Sequence, residues 1–238
     1  MTSIQTEDPA EAAHAAASDT LSERAAALVE RDILAGLWLP DTRLGIHALS
    51  EHYGIGATPL REGLSRLVSR GLIMAVGKKG FRVASTSRAD LEDITRVRTL
   101  VEVEALKGSI AAGGDEWEAG IVAALHRLRR SLDRDPETMR EGTVEFDGLH
   151  KAFHRALLAA CGSERLLRLH DELYLQAYRY RRVMMNRFQD PAWFLTEHQE
   201  LADIIIARNV DEAVRRLSSH LNHTLVIVYG DAGTDKPA

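Results

Sequence analysis

Leu44-Gly-Ile-His-Ala-Leu-Ser-Glu-His-Tyr-Gly-Ile-Gly-Ala-Thr-Pro-Leu-Arg-Glu-Gly-Leu64 is the stretch from which the fold of this chain is read. Thr58-Pro59 marks a helix start, because a threonine hydroxyl accepts from the first unpaired amides and proline suits the first helical position. Leu60, Leu64, Leu67 and Val68 then recur on one face, which leaves Arg61, Ser65 and Arg66 on the others. Upstream, Ile46, Leu49 and Tyr53 form a second short apolar stripe, and Gly54 stands where a left-handed residue ends such a helix. Two short helices, a glycine-containing turn and an arginine in the first turn of the second helix are what docking in a major groove requires. Downstream, Leu72-Ile-Met-Ala-Val76 and Phe81-Arg-Val83 flank Gly77-Lys78-Lys79-Gly80. That pattern predicts two strands joined by a tight basic turn, placed to meet phosphates or the minor groove. The segment is therefore expected to be a DNA-binding winged helix-turn-helix.

Charge is distributed in the same sense. The whole chain of 238 residues carries −5, but residues 21–85 hold nine Lys and Arg against six Asp and Glu, and local excess matters more for a polyanionic partner than the total. Thr20-Leu-Ser-Glu23 reads as a capping box opening the DNA domain, residues 20–85. Residues 1–19 are alanine-rich and acidic and are expected to be a disordered extension. After Ala84-Ser-Thr-Ser87, the pattern is helical to about Gly230, with breaks near Gly113-Gly114, Asp135-Pro136, Gly162, Asp190-Pro191 and Asn209. Residues 86–230 should thus form an all-helical bundle of six or seven helices without a sheet, and 231–238 a disordered tail, making the protein mainly α. The single cysteine, Cys161, excludes an intramolecular disulfide and reads as a small core residue. No apolar run is long enough to cross a bilayer and no leader precedes the first helix, so a cytoplasmic protein without a membrane partner is expected.

The second constellation is made of histidines placed where apolar residues belong. His150 and His154 are one turn apart on a face bordered by Phe146, Phe153 and Leu157; His198 lies in the series Phe194, His198, Leu201, Ile205; His220 lies with Leu217, Leu221, Thr224 and Val228. A lone histidine on such a stripe is more often a hydrogen-bonded core residue. An unpartnered buried imidazole costs about 1–3 kcal/mol, so four of them call for one explanation, and a transition metal held between helices is the simplest. Asp147, on roughly the same face as His150, is either an acceptor behind an imidazole or a carboxylate ligand. His126 and His170 have no partner signal and read as structural or exposed.

The helix-turn-helix segment resembles the GntR family of bacterial regulators, through Leu49-Ser50, Tyr53-Gly54-Ile55 and Thr58-Pro59-Leu60-Arg61-Glu62-Gly63-Leu64. Two guanine-reading arginines common in that family are absent, since Gly56-Ala57 replaces Ser-Arg and His47 replaces the earlier arginine. The resemblance implies a DNA face made of His47, Ala57, Thr58, Arg61 and Ser65, with readout resting on Arg61 and with Lys78 and Lys79 on the wing. The helical half resembles the FCD domain of the FadR subgroup, through Leu149-His150-Lys151-Ala152-Phe153-His154, Glu197-His198 and Ser219-His220-Leu221. That likeness implies a divalent metal on His150, His154, His198 and His220, with an imidazole at 150 where the family places aspartate. Four neutral ligands favour Zn²⁺, Ni²⁺, Co²⁺ or Cu²⁺ over hard ions, Zn²⁺ and Ni²⁺ first. It also implies a small organic acid or sugar acid as effector, contacted by Arg98 of the pair Arg98-x-x-x-Glu102 and served by Asp147.

The expected function is a homodimeric transcription repressor that binds a palindromic operator and answers to that effector. A regulator in which the metal itself is the signal is the alternative. A metal-dependent hydrolase is disfavoured, because the chain has no His-Glu-x-x-His, no Gly-x-Ser-x-Gly and no phosphate-cradling glycine loop.

Overall fold

The computed structural model describes residues 9–77, 80–140, 143–185 and 190–230. The expectations for residues 1–8, for Lys78 and Lys79 and for the tail 231–238 lie outside the described residues. The chain divides into two compact units, Met1–Ser85 and Thr86–Ala238.

In the first unit, α1 (Pro9–Leu34), β1 (Arg43–Leu44), α2 (Ile46–Tyr53), α3 (Ala57–Ser69), β2 (Ile73–Ala75) and β3 (Phe81–Val83) follow in order. Helix α1 packs on α3, burying Ala25, Val29 and Ile33 together with Leu60, Leu64 and Leu67. The approach is close at Gly63, where a Cβ would meet the Ser22 carbonyl oxygen at 2.8 Å and the Ala26 nitrogen at 2.9 Å. Only a residue without Cβ fits there undisturbed. Gly54 closes α2 at φ 64° and its amide donates to the Ser50 carbonyl, as the short stripe required. The strands form an antiparallel sheet in the order β1-β3-β2, with Arg43 opposite Arg82 and Ile73 opposite Val83.

Two expectations in this unit are corrected. Helix α1 starts at Pro9, so residues 9–19 are helical and Thr20-Leu-Ser-Glu23 lies inside the helix, with Ser22 buried. Alanine has the highest helix propensity, and this outweighs the compositional sign of disorder. Helix α3 starts at Ala57 with Gly56 as its cap and no side-chain capping bond, so Thr58 sits in the first turn. Proline gives no discrimination here, because every position of a first turn has an amide without an intrahelical partner.

The second unit consists of α4 (Arg88–Ala112), α5 (Asp115–Arg134), α6 (Glu137–Arg140), α7 (Val144–Leu158), α8 (Glu164–Met185), α9 (Pro191–Ile206) and α10 (Val210–Tyr229), with no strand among the described residues. The helix starts are chemical. The Ser87 hydroxyl accepts from the Asp90 amide at 3.1 Å, Thr143 from Phe146 at 3.2 Å, Asp190 from Ala192 at 2.9 Å and Asn209 from Glu212 at 3.3 Å. The core gathers Leu106, Ile121, Leu128, Phe153, Leu201 and Leu217 from five helices. Helices α7, α9 and α10 each turn one apolar stripe into it, and the four singled-out histidines ride on those stripes.

Candidate metal centre and DNA-reading face

On the first unit, Ala57, Thr58, Arg61 and Ser65 are all exposed, opposite the buried face of α3, and His47 is exposed on α2. The Ser65 hydroxyl donates to the Arg61 carbonyl at 2.8 Å, and His47 Nδ1 lies 3.4 Å from the Glu51 carboxylate. Arg61 borders a groove together with Arg43, Ile46, Ala75 and Phe81. Arg43 was not singled out from sequence, because a two-residue strand carries no periodicity to reveal it. Behind this face, Tyr53 ties α2 to α1: its hydroxyl donates to Asp32 Oδ2 at 2.8 Å and accepts from Trp38 Nε1 at 2.8 Å. Burial pushes the Tyr53 phenol up to about 12, the Asp32 carboxylate adding to the effect and the Trp38 donor opposing it.

On the second unit, His150 and His154 (α7), His198 (α9) and His220 (α10) converge so that their ligand atoms all lie within 4.8 Å of one another. The Nε2 atoms of His150 and His198 are 2.8 Å apart, those of His150 and His154 3.1 Å, and those of His154 and His220 3.3 Å. The first three rings are buried, at 4%, 2% and 1% exposure for His150, His154 and His198. Burial, with the neighbouring His220 and His198, holds His154 well below the ordinary histidine range.

Two of the rings, His150 and His198, have a hydrogen-bond partner behind them, whereas His154 Nδ1 is buried without one among the described residues. His198 Nδ1 lies 2.7 Å from the Phe194 carbonyl oxygen, which only accepts, so this nitrogen carries the proton and donates. The Tyr174 hydroxyl lies 3.0 Å from Asp147 Oδ1 and 2.7 Å from His150 Nδ1, so when it donates to the carboxylate it accepts from the imidazole. With that assignment both rings present unprotonated Nε2 atoms to each other. Two lone pairs at 2.8 Å repel unless a proton or a cation stands between them, and burial disfavours an isolated proton. Asp147 is placed behind His150, linked to it through Tyr174. Tyr174 itself was missed from sequence, being one tyrosine on a mixed, charged helix.

The same cavity, about 40 Å³ open to water-sized centres, is bordered by Arg98, Tyr178, Trp193, His223 and Thr224 besides the four histidines. Arg98 is 7% exposed and its Nε donates to Glu102 Oε1 at 2.8 Å. His170, read as structural or exposed, is fully buried with Nδ1 3.1 Å from the same Glu102 oxygen. His126 is exposed.

A winged helix with an exposed recognition face, followed by a separate helical domain, defines a DNA-binding transcription regulator. Residues 21–83 match the bacterial regulatory proteins of the gntR family, and residues 93–223 match the FCD domain. Over 205 residues the chain is 37% identical to the HTH-type transcriptional repressor GlaR of Escherichia coli K12, covering 84% of this chain and 92% of that protein. Over 200 residues it is 34% identical to the HTH-type transcriptional regulator BphR of Paraburkholderia xenovorans LB400, covering 83% of this chain and 80% of that one. A GntR transcriptional regulator from Rhodococcus sp. RHA1 has the same fold, with a TM-score of 0.72 at 20% identity over 89% of this chain and 99% of that one. This chain belongs to the GntR family and carries an FCD domain. Its relatives are transcription regulators and not enzymes. Among the described residues no helix is long and apolar enough to cross a membrane.

Proposed function

We propose that this regulator acts as a homodimeric repressor on a palindromic operator, and that a small organic acid or sugar acid releases it by binding at a divalent metal on His150, His154, His198 and His220. The observation that carries this reading is the 2.8 Å approach of the His150 and His198 Nε2 atoms, each ring with an oxygen partner behind it at Nδ1. Nitrogen donors from three helices, two of them with an oxygen partner behind the ring, suit a borderline transition ion, Zn²⁺ or Ni²⁺ first. When bound, such an ion would supply positive charge that draws a carboxylate oxygen to the cluster.

The residues themselves do the rest. Arg98 borders the cavity while its Nε is taken by Glu102, and among the described residues its two terminal nitrogens have no acceptor. A buried guanidinium in that state favours a carboxylate, which it meets with two parallel hydrogen bonds. Tyr174 and Phe194 keep their imidazoles in the ligating tautomer. Release of DNA then requires the carboxylate to bind the operator-competent and incompetent forms of the dimer unequally.

The test is metal content of the purified chain by elemental mass spectrometry, joined to operator binding with and without small carboxylates on metal-loaded and chelated samples. Near-stoichiometric metal and a carboxylate that releases operator only from the loaded form are expected. No metal after reloading would reduce the four histidines to core residues. Operator affinity that followed metal alone, with every carboxylate inert, would replace the effector reading by a metal-sensing one.

A further inference from the structure

Arg98 is held more firmly than cavity lining alone requires. On α4 its Nε donates to Glu102 Oε1 at 2.8 Å, one turn further along the same face, and its guanidinium carbon lies 5.4 Å from the Tyr174 ring centroid. Glu102 is 1% exposed and stays ionised: burial would raise its carboxyl, and the Arg98 charge with the neighbouring His170 more than reverses this. His170 Nδ1, on α8, stands 3.1 Å from the same Oε1 that Arg98 uses. Tyr174 lies one turn beyond His170 on α8, with the rings 5.9 Å apart, and its hydroxyl stands behind His150. Two consecutive turns of α8 thus back the guanidinium and the histidine cluster in turn.

We infer that Glu102 and His170 are positioning residues for the carboxylate site, holding the Arg98 guanidinium in the orientation that turns its terminal nitrogens into the cavity of the four histidines. The inference rests on the carboxylate reading proposed above and adds the source of its selectivity. Anchoring Nε fixes the plane of the fork and leaves both terminal groups for a planar, two-oxygen ligand. Pre-orienting a long side chain lowers the entropy lost on binding. Glu102 also compensates a buried cation when no anion is present, so the pair costs the empty fold less than a lone arginine would. An ion pair that served the fold alone would leave anion affinity untouched by its removal, and this is where the two roles part.

The full-length protein is loaded with Co²⁺ and titrated with acetate, the smallest carboxylate, by visible absorption. Glu102→Leu, which keeps volume and removes the acceptor, is expected to weaken acetate by up to about thirtyfold, the factor equivalent to the roughly 2 kcal/mol of rotamer entropy of an unheld arginine. Glu102→Gln keeps an oxygen for Nε and is expected to stay within about threefold of wild type, in line with a requirement for geometry over charge. In an Arg98→Met background, Glu102→Leu should change acetate affinity no further. That double variant replaces a buried pair by apolar residues and keeps the fold testable where Glu102→Leu alone unfolds. His170→Phe should weaken acetate only while Arg98 is present. Additive losses in the double variant, or Gln as weak as Leu, would overturn the positioning role with Co²⁺ loading intact. A wild type that takes up Co²⁺ and shows no response to acetate would overturn the carboxylate reading and this inference with it.

Discussion

Tyr174→Phe deletes one oxygen from the buried chain Asp147–Tyr174–His150 and leaves the ring in place. In the wild type that oxygen accepts from His150 Nδ1 at 2.7 Å and donates to Asp147 at 3.0 Å. Without it, nothing in that chain holds the proton on Nδ1, and an imidazole protonated at Nε2 has no lone pair for a metal. Removing a partner behind a ligating histidine typically costs 10- to 100-fold in metal affinity, about 1.4–2.7 kcal/mol. One hydrogen bond to a charged group, worth about 1.5–3 kcal/mol, gives the same scale independently. The fold should lose a separate 1–3 kcal/mol, roughly, because buried Asp147 forfeits a donor. The assay is competition of the full chain with a chelating dye for Zn²⁺ near neutral pH, with His154→Ala as the control without the site. Unchanged stoichiometry and a 10- to 100-fold weaker site are expected for Tyr174→Phe. Affinities equal within error, with His154→Ala still losing the metal, would refute the argument that Tyr174 sets the His150 tautomer.

Three further outcomes follow from the first unit. Gly63→Ala forces a methyl against the Ser22 carbonyl and the Ala26 nitrogen, both backbone atoms; overpacking costs about 1–3 kcal/mol, offset by up to about 1 kcal/mol of backbone entropy, so urea unfolding should show net loss and a stabilised variant would contradict the close α1–α3 approach. Arg61→Ala should weaken specific operator binding by about 1–3 kcal/mol in gel-shift titrations while affecting random DNA far less, and an unchanged base preference would remove Arg61 from the readout. Tyr53 has its phenol raised to about 12, against about 10 in an unfolded chain, so its contribution to stability is complete below pH 10 or so and is lost as pH rises through this window. Tyr53→Phe should flatten that part of the alkaline stability profile, measured by denaturant unfolding, and parallel profiles for the two proteins would dismiss the contribution.

Features set by local chemistry were legible in the sequence. Gly54 ends α2 because a left-handed residue is needed there, Ser87 and Asn209 open α4 and α10 because their side chains accept from the third residue on, and the histidines declare themselves by helical period. What escaped depends on other parts of the chain. Tyr174 and His170 acquire their meaning from α7 and α4, packed beside α8, and no pattern within α8 names those partners. Arg43 joins the Arg61 groove only because β1 pairs with β3. At Thr143, which caps α7, the third residue on is Phe146 and not an acid, so the usual pair of capping residues was missing. Residues 9–19 show two local rules in conflict, low complexity against alanine's propensity, and the helix follows the second.

The histidine at position 150, where the resemblance to the FCD domain implies an aspartate, gains a physical sense from the arrangement behind it. On the metal reading, four imidazoles bring no charge, and any compensation must come from nearby carboxylates. Asp147 is the nearest by connection, but it acts through the Tyr174 hydroxyl and so polarises His150 without neutralising the centre. Glu102 pairs with Arg98 through Oε1, and His170 Nδ1 lies 3.1 Å from the same oxygen. On that reading the cavity would have a positive centre on one side and the Arg98 guanidinium on the other. Low-dielectric surroundings make that charge felt strongly and make a neutral ligand a poor occupant. A carboxylate would answer both anchors at once, its oxygens accepting from the Arg98 fork in their common plane and one of them also turned toward the histidines. On the metal reading, the negative charge that the resemblance places at this position as aspartate would come, in this chain, from the effector.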